Sequence, residues 1–245
     1  MKRLLISGVC GRMGRLLAQA SHEHGMLTVA GVDAVACEQQ SFPVYRHFSQ
    51  VREAADVLVD FSVPGVLGDL LDHCQSHALP CVLGTTGYTE EDMKRIQKAA
   101  DDIPIFWSPN MSRGVYVLTQ LAARAAQMLD GFDVEIIEKH HKQKVDSPSG
   151  TALSLLNAVR KPDSSPVFGR EGKSAKRAAG EIGVHAVRGG TVAGEHEVGF
   201  YGDNEVIILS HQAQNRGVFV AGALSAAGWL TGRQPGLYGM ADLMG

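Results

Sequence analysis

The sequence holds no run of about twenty apolar residues, the length a helix needs to cross a bilayer, so no membrane span is expected. Its four cysteines, Cys10, Cys37, Cys74 and Cys81, are scattered, with no C-x-x-C pair and no zinc-ligand spacing. That usage points to a reducing compartment, with the cytoplasm as the default. An excess of positive charge is also missing: the formal net charge is −3 over 245 residues, which argues against general nucleic-acid binding. The N-terminus runs straight into a strand pattern and lacks the layout of a signal peptide. Internal repeats are absent. The apolar share of 44% and the charged share of 20% are ordinary for a soluble globular protein, long enough for one or two domains.

What is present is concentrated in a few segments. Lys2–Ser7 reads as a short buried strand that runs into Gly8-Val9-Cys10-Gly11-Arg12-Met13-Gly14 and then a helix over Arg15–Glu23. Strand, glycine turn and helix are the context a dinucleotide fingerprint requires. Gly8 permits the turn, Gly11 lets backbone approach a pyrophosphate, and Gly14 lets the helix pack on the sheet. The spacing is G-x-x-G-x-x-G rather than G-x-G-x-x-G. A second strand over Leu27–Val32 ends in Asp33, about twenty residues beyond the fingerprint, where an acid accepts hydrogen bonds from an adenosine ribose. Ala34 and Val35 follow, with no adjacent cation for a 2′-phosphate, which favours NADH over NADPH; Arg46, in the next loop, is the residue that would admit NADPH.

Strand patterns over Val57–Ser62, Pro80–Gly84 and Ile103–Trp107 alternate with helical ones over Gly65–Ser76 and Thr89–Ala100. Thr89 and Asp92 form a capping box at the start of the latter. This alternation predicts an α/β fold, a Rossmann-type doubly wound parallel sheet whose ligands bind at the carboxyl ends of its strands. Those ends carry small and polar groups: Ser62, Gly84-Thr85-Thr86-Gly87 and Ser108-Pro109-Asn110-Met111.

From about residue 112 the character changes. A helix over Val115–Leu129 and a strand opening with the apolar run Val134–Ile137 lead into Glu138-Lys139-His140-His141-Lys142-Gln143-Lys144, which packs two histidines and three lysines into positions 139–144. The turn Ser147–Gly150 and a helix over Thr151–Val159 follow. Cations, imidazoles and a helix N-terminus within reach of one another suit a small carboxylate substrate that needs a proton. The bland alternative is a solvated, charged strand end. A metal role for His140 and His141 is not favoured, because adjacent strand residues point to opposite faces. Residues 161–181 read as a mobile loop, and strands over Ile182–Arg188, Ala193–Phe200 and Glu205–Ser210 complete a smaller α+β domain with a mixed or antiparallel sheet. The closing helix, Val218–Leu230, is placed with the first domain, so the expected domains are 1–111 with 217–245, for the dinucleotide, and 112–216, for substrate and oligomerisation.

Taken together, Gly8–Gly14, Asp60-Phe61-Ser62, Gly84–Gly87, Pro109-Asn110 and above all Glu135–Ala152 resemble the dihydrodipicolinate reductase family of lysine and diaminopimelate biosynthesis, over nearly the whole chain. The resemblance implies NAD(P)H-dependent reduction of 4-hydroxy-tetrahydrodipicolinate to tetrahydrodipicolinate with loss of water, and a homotetramer built through the second domain. It assigns proton transfer to His140 and Lys144, and substrate carboxylate binding to His141, Gly150 and Thr151. Its cofactor contacts fall on Gly8, Val9, Cys10, Gly11, Arg12, Met13, Asp33, Gly84, Thr85, Thr86, Ser108, Pro109, Asn110 and Met111. Two departures stand out: Met111 replaces a frequent phenylalanine, and Val63 stands where an arginine often follows Asp-Phe-Ser, the latter consistent with NADH. The residues alone leave two alternatives, another Rossmann-type amino-acid dehydrogenase or a non-catalytic dinucleotide sensor. Arg216 is equally a substrate contact or a salt-bridge partner, Asp146 an orienter of Lys144 or a turn cap, and His185, His196 and His211 read as scaffold.

Overall fold

A computed structural model describes residues 1–35, 37, 40–173 and 176–245. The chain forms two compact units, Met1–Ser112 with Gly217–Gly245, and Arg113–Arg216.

The first unit is built on seven parallel strands: β1 (Lys2–Ser7), β2 (Met26–Val32), β3 (Val44–Tyr45), β4 (Val57–Asp60), β5 (Cys81–Leu83), β6 (Pro104–Trp107) and, near the C-terminus, β12 (Gly236–Tyr238). Their order is β12-β6-β5-β4-β1-β2-β3, so the chain reverses direction of travel across the sheet between β1 and β4. That switch point is where doubly wound sheets open a crevice for a dinucleotide. Leu4, Leu5, Ile6, Val57, Leu58 and Val59 are all buried, without alternation. Such runs require cover on both faces, which is the parallel-sheet condition. The cover comes from α1 (Arg12–Ala20), α2 (Leu67–Ser76), α3 (Glu90–Ala99) and α6 (Gly217–Leu230). The predicted capping box is in place: Asp92 N–H donates to Thr89 Oγ1 at 3.1 Å, and Thr89 N–H to Asp92 Oδ2 at 2.9 Å. α6 is apolar all round and packs on α1, β4, β5 and β6. Its Gly222 passes so close to Met111 that a Cβ there would lie 1.7 Å from the Met111 carbonyl oxygen.

α1 begins three residues earlier than the sequence predicts, because Gly11, extended at φ −71°, serves as its N-cap. The edge strands β3 and β12 were too short to be read from periodicity. Among the described residues, no helix is long and apolar enough to cross a membrane.

The second unit packs α4 (Arg113–Met128) and α5 (Gly150–Val159) against a mixed sheet of β7 (Asp133–His140), β8 (Ser165–Phe168), β9 (Glu181–Arg188), β10 (Gly194–Tyr201) and β11 (Val206–Ala213). The order is β11-β10-β7-β9-β8, with β10 antiparallel to β11 and β7, and β9 parallel to β7 and β8. The expectation of one mobile loop over residues 161–181 is corrected by β8. This strand contains Pro166, which a sheet tolerates at an edge. Beyond it, Arg170 pairs with Glu135 and Glu181, and Arg177 with Asp133 and Glu135, tying the segment to β7 and β9.

Candidate active site

In the first unit the glycine loop follows β1 at the switch point. Gly8 adopts φ +75°, and a Cβ on it would lie 2.5 Å from the Phe61 carbonyl oxygen, so the turn requires glycine. The start of α1 has no side-chain cap, which leaves first-turn N–H groups at the positive end of the helix dipole for an anion. At Gly11 a Cβ would lie 3.2 Å from the Gly8 carbonyl oxygen, a tight contact but a looser one than at Gly14. A dinucleotide pyrophosphate fits this cradle. Asp33, ending β2, accepts from Cys10 N–H and Val35 N–H, each at 2.9 Å, which fixes the carboxylate beside the loop. Arg46 donates to the carbonyl of Ala34, immediately after Asp33.

Other predicted contacts divide by burial. Arg12 is exposed and Met13 half-buried, whereas Val9 is buried, its side chain filling the space above Gly31. Thr86 is exposed, but Thr85 is buried with its hydroxyl turned toward Asp60. Gly84 lies against the Phe61 ring, where a Cβ would be 2.5 Å from ring carbon. Ser108 Oγ donates to the Asn110 carbonyl at 2.7 Å, and Asn110 Oδ1 accepts from Ser112 N–H at 2.8 Å, closing the turn that carries Pro109. Met111 is buried beside Gly222, a packing position. Asp60 is fully buried with Ser62, Ser7 and Thr85 around it; burial raises its carboxyl pKa against their hydrogen bonds.

Cys10 and Cys37 are joined by a disulfide, Cα–Cα 5.2 Å. The scattered spacing of the four cysteines gave no sign of this bond. β1 and β2 are neighbours in the sheet, so the loops that follow them meet, a proximity that a separation of 27 residues hides. Cys74 and Cys81 are free and buried.

In the second unit, β7 runs from Asp133 to His140, so the strand continues through the charged segment beyond the apolar run Val134–Ile137. The period of two puts Ile136, Glu138 and His140 on one buried face. Register then sets His196 of β10 opposite Glu138 and Arg188 of β9 opposite His140. Glu138 is completely buried. Its Oε2 lies 3.0 Å from His140 Nδ1 and 3.7 Å from His196 Nε2, close contacts without full hydrogen-bond alignment. Its Oε1 accepts from Arg188 Nη2 at 2.7 Å and from Ser149 N–H at 2.9 Å. Burial pushes the Glu138 carboxyl up, but His140, Ser149 and Arg188 more than offset it and hold it well below the usual carboxylate range.

Ser149 is the N-cap of α5, its Oγ accepting from Ala152 N–H at 3.2 Å and lying 3.2 Å from His196 Nε2. Gly150 and Thr151 form the first turn of that helix, with Gly150 exposed. His141 N–H donates to the Val192 carbonyl at 2.8 Å. Lys144 pairs with Asp146 at 2.8 Å, so Asp146 orients the lysine. The His140 and His196 rings meet edge to face, 5.1 Å apart, and burial, then His140, pulls His196 down to about 4. Gly194 makes room for this pair: a Cβ there would lie 3.1 Å from His140 Nε2.

His196 is therefore part of the cluster, not plain scaffold. His185, by contrast, pairs with Glu135 at 2.7 Å. Sequence reading also missed the roles of Glu138, Ser149 and Arg188. The signal for Glu138 was its spacing of two from His140. Glu138, His140 and His196 have the atoms and proximity to ligate a cation, but the Arg188 guanidinium already balances the one carboxylate. The sequence reading of no helical His-x-x-x-His is corrected by His73 of α2 and its C-cap His77, whose Nδ1 lies 2.9 Å from the His73 carbonyl oxygen and closes the helix.

The glycine cradle, the helix start and the acid ending β2 define a Rossmann-type, dinucleotide-dependent oxidoreductase. Family models describe the rest of the identity: "Dihydrodipicolinate reductase, N-terminus" matches residues 2–111 and "Dihydrodipicolinate reductase, C-terminus" residues 114–244. A 4-hydroxy-tetrahydrodipicolinate reductase of Caldanaerobacter subterraneus subsp. tengcongensis is 47% identical, covering 100% of this chain and 98% of that one. A dipicolinate-bound dihydrodipicolinate reductase of Paenisporosarcina sp. TG-14 superposes with a TM-score of 0.80 at 25% identity, covering 99% of each chain. The WlbA dehydrogenase of Thermus thermophilus, solved with NAD and UDP-GlcNAcA, shares the fold alone, with a TM-score of 0.55 at 11% identity over 97% of each chain. The chain belongs to the dihydrodipicolinate reductase family and is an NAD(P)H-dependent reductase.

Proposed function

We propose that this chain reduces 4-hydroxy-tetrahydrodipicolinate to tetrahydrodipicolinate, with loss of water, in lysine and diaminopimelate biosynthesis, and that His140 and Lys144 are its acid–base and substrate-holding groups. The reduced nicotinamide, when bound, supplies the hydride. The chain's own residues bind the two carboxylates and manage the proton. Gly150 and Thr151 offer the N–H groups of the α5 start, and His141 and Lys144 add positive or hydrogen-bonding groups on the adjoining segment. His140 has Nδ1 engaged with Glu138, leaving Nε2 as the nitrogen that passes a proton. The observation that carries the reading is this Glu138–His140 contact, held beside the Ser149-capped helix start.

In the first unit, Gly8–Met13, Asp33, Gly84, Thr86 and the Ser108–Asn110 turn would hold the dinucleotide. Asp33 supports NADH as the preferred form, and Arg46 beside Ala34 supports some use of NADPH. Use of a soluble dinucleotide supports a cytoplasmic setting. The second unit is assigned the oligomer interface. β11 is the outer strand of its sheet, and Val206 and Ile208 on it are about half exposed, at 50% and 53%, so a second copy would bury them in a homotetramer. Light scattering should give four chains for the parent and fewer for Ile208→Glu; a monomeric parent contradicts that assignment.

The activity is tested by NADH oxidation with 4-hydroxy-tetrahydrodipicolinate generated in situ. Turnover that depends on that substrate is expected. Absence of turnover with both NADH and NADPH would return the chain to the alternatives of another amino-acid dehydrogenase or a dinucleotide sensor.

A further inference from the structure

We propose that Glu138 is the positioning residue of the reaction, a single buried carboxylate that holds the His140 ring with one oxygen and the start of the α5 helix with the other. The proposal rests on the reading that His140 passes the proton, and it names what sets that ring and the anion-binding turn relative to each other.

Three observations carry it. The first is connectivity. Glu138 Oε2 faces His140 Nδ1 at 3.0 Å, while Oε1 accepts from Ser149 N–H at 2.9 Å, the residue that caps α5 directly before Gly150 and Thr151. Rotation of this one side chain would disturb both groups together. The second is rigidity. Arg188 Nη2 donates to Oε1 at 2.7 Å and also to the Asp146 carbonyl at 2.7 Å, so the carboxylate is pinned from β9 as well, next to the segment that bears Lys144. A fully buried carboxylate that accepts from a guanidinium and a backbone N–H stays ionised and has one firm orientation.

The third is tautomer selection. An ionised carboxylate is only an acceptor, so the imidazole nitrogen facing it carries the hydrogen. That places the hydrogen of neutral His140 on Nδ1 and leaves the Nε2 lone pair on the other edge. The His196 ring of β10 packs edge to face on that of His140, with its Nε2 3.2 Å from Ser149 Oγ. The arrangement follows the acid–base logic in which a third group orients the imidazole.

The test uses the full-length enzyme with saturating NADH. Glu138→Gln keeps the size and an acceptor oxygen for Ser149 N–H but removes the charge. It should lower kcat by roughly tenfold or more, short of the ~10²–10⁴-fold that the proton-transferring group itself commands, with NADH affinity unchanged. Glu138→Asp, which restores charge at shorter reach, should recover part of that loss. Nitrogen-15 spectra of the imidazole should show the His140 proton on Nδ1 in the parent and a mixture of tautomers in Glu138→Gln. Wild-type kcat in Glu138→Gln, with His140→Gln impaired, overturns the proposal while leaving the role of His140 standing. Unimpaired His140→Gln instead removes the reading beneath it. Should Glu138→Gln fail to fold, the parent spectrum still decides: a proton on Nε2 overturns the proposal, and one on Nδ1 supports it.

Discussion

Gly14 stands so close to Gly8 that a Cβ on it would lie 2.2 Å from the Gly8 carbonyl oxygen, whereas the same atom on Gly11 would lie 3.2 Å away. The two glycines thus serve different ends within one loop. Gly14 brings α1 against the turn, and Gly11, at the start of α1, is held less tightly. Gly14→Ala should lower the melting temperature sharply, because backbone must move. Gly11→Ala should melt less far below the parent than Gly14→Ala but bind NADH at least about tenfold more weakly, a loss near 1.4 kcal/mol. Calorimetric titration and thermal melts on both variants check this; equal NADH affinity in Gly11→Ala contradicts the placement of the pyrophosphate.

Asp33 is held by two backbone N–H groups, so its charge stays fixed beside the loop after β2. That charge repels a 2′-phosphate and accepts from a 2′-hydroxyl. Asn at this position keeps an acceptor and removes the repulsion. The ratio of NADPH to NADH affinity in Asp33→Asn should rise by about tenfold, the scale of one near-surface charge interaction. Competitive binding of the two dinucleotides measures it, and a parent with no preference for NADH contradicts the assignment.

Much of this was legible in the sequence, and the exceptions share a cause. The strand Lys2–Ser7 and the Thr89–Asp92 box were readable because their determinants lie within a few residues. The β8 strand was not, since Pro166 and a charged, glycine-rich flank read as loop, and its anchors on Glu135 and Glu181 come from other strands. The same holds at the site. His140 and Lys144 stood out through local density of charge. His196 did not, because only the β7–β10 register sets it opposite Glu138. The Cys10–Cys37 bond likewise follows from sheet order, which local pattern does not contain.

Acid should weaken the second unit in a specific window. In the folded chain His196 titrates near 4, depressed by burial, then by His140, with Lys144 and His211 acting the same way and Glu138 opposing. The unfolded chain takes up that proton near the ordinary value of about 6.5. Between those values the unfolded state binds more protons, so stability is full above about 6.5 and falls as pH drops toward 4, by about 3 kcal/mol in all. Glu138, held low, extends the decline further into acid. Melting temperature measured from pH 7 to 4 should fall through this range in the parent and fall less in His196→Asn. Parallel curves for the two proteins would contradict the placement of a neutral, buried His196.

The central claim is that the imidazole of residue 140 carries the proton of the reductive step, and steady-state kinetics of His140→Ala test it most directly. With substrate formed in situ and NADH saturating, the account predicts a kcat at least about a hundredfold below the parent, in the range of general acid–base groups, with the NADH dissociation constant unchanged. A variant that turns over at the parental rate would contradict it.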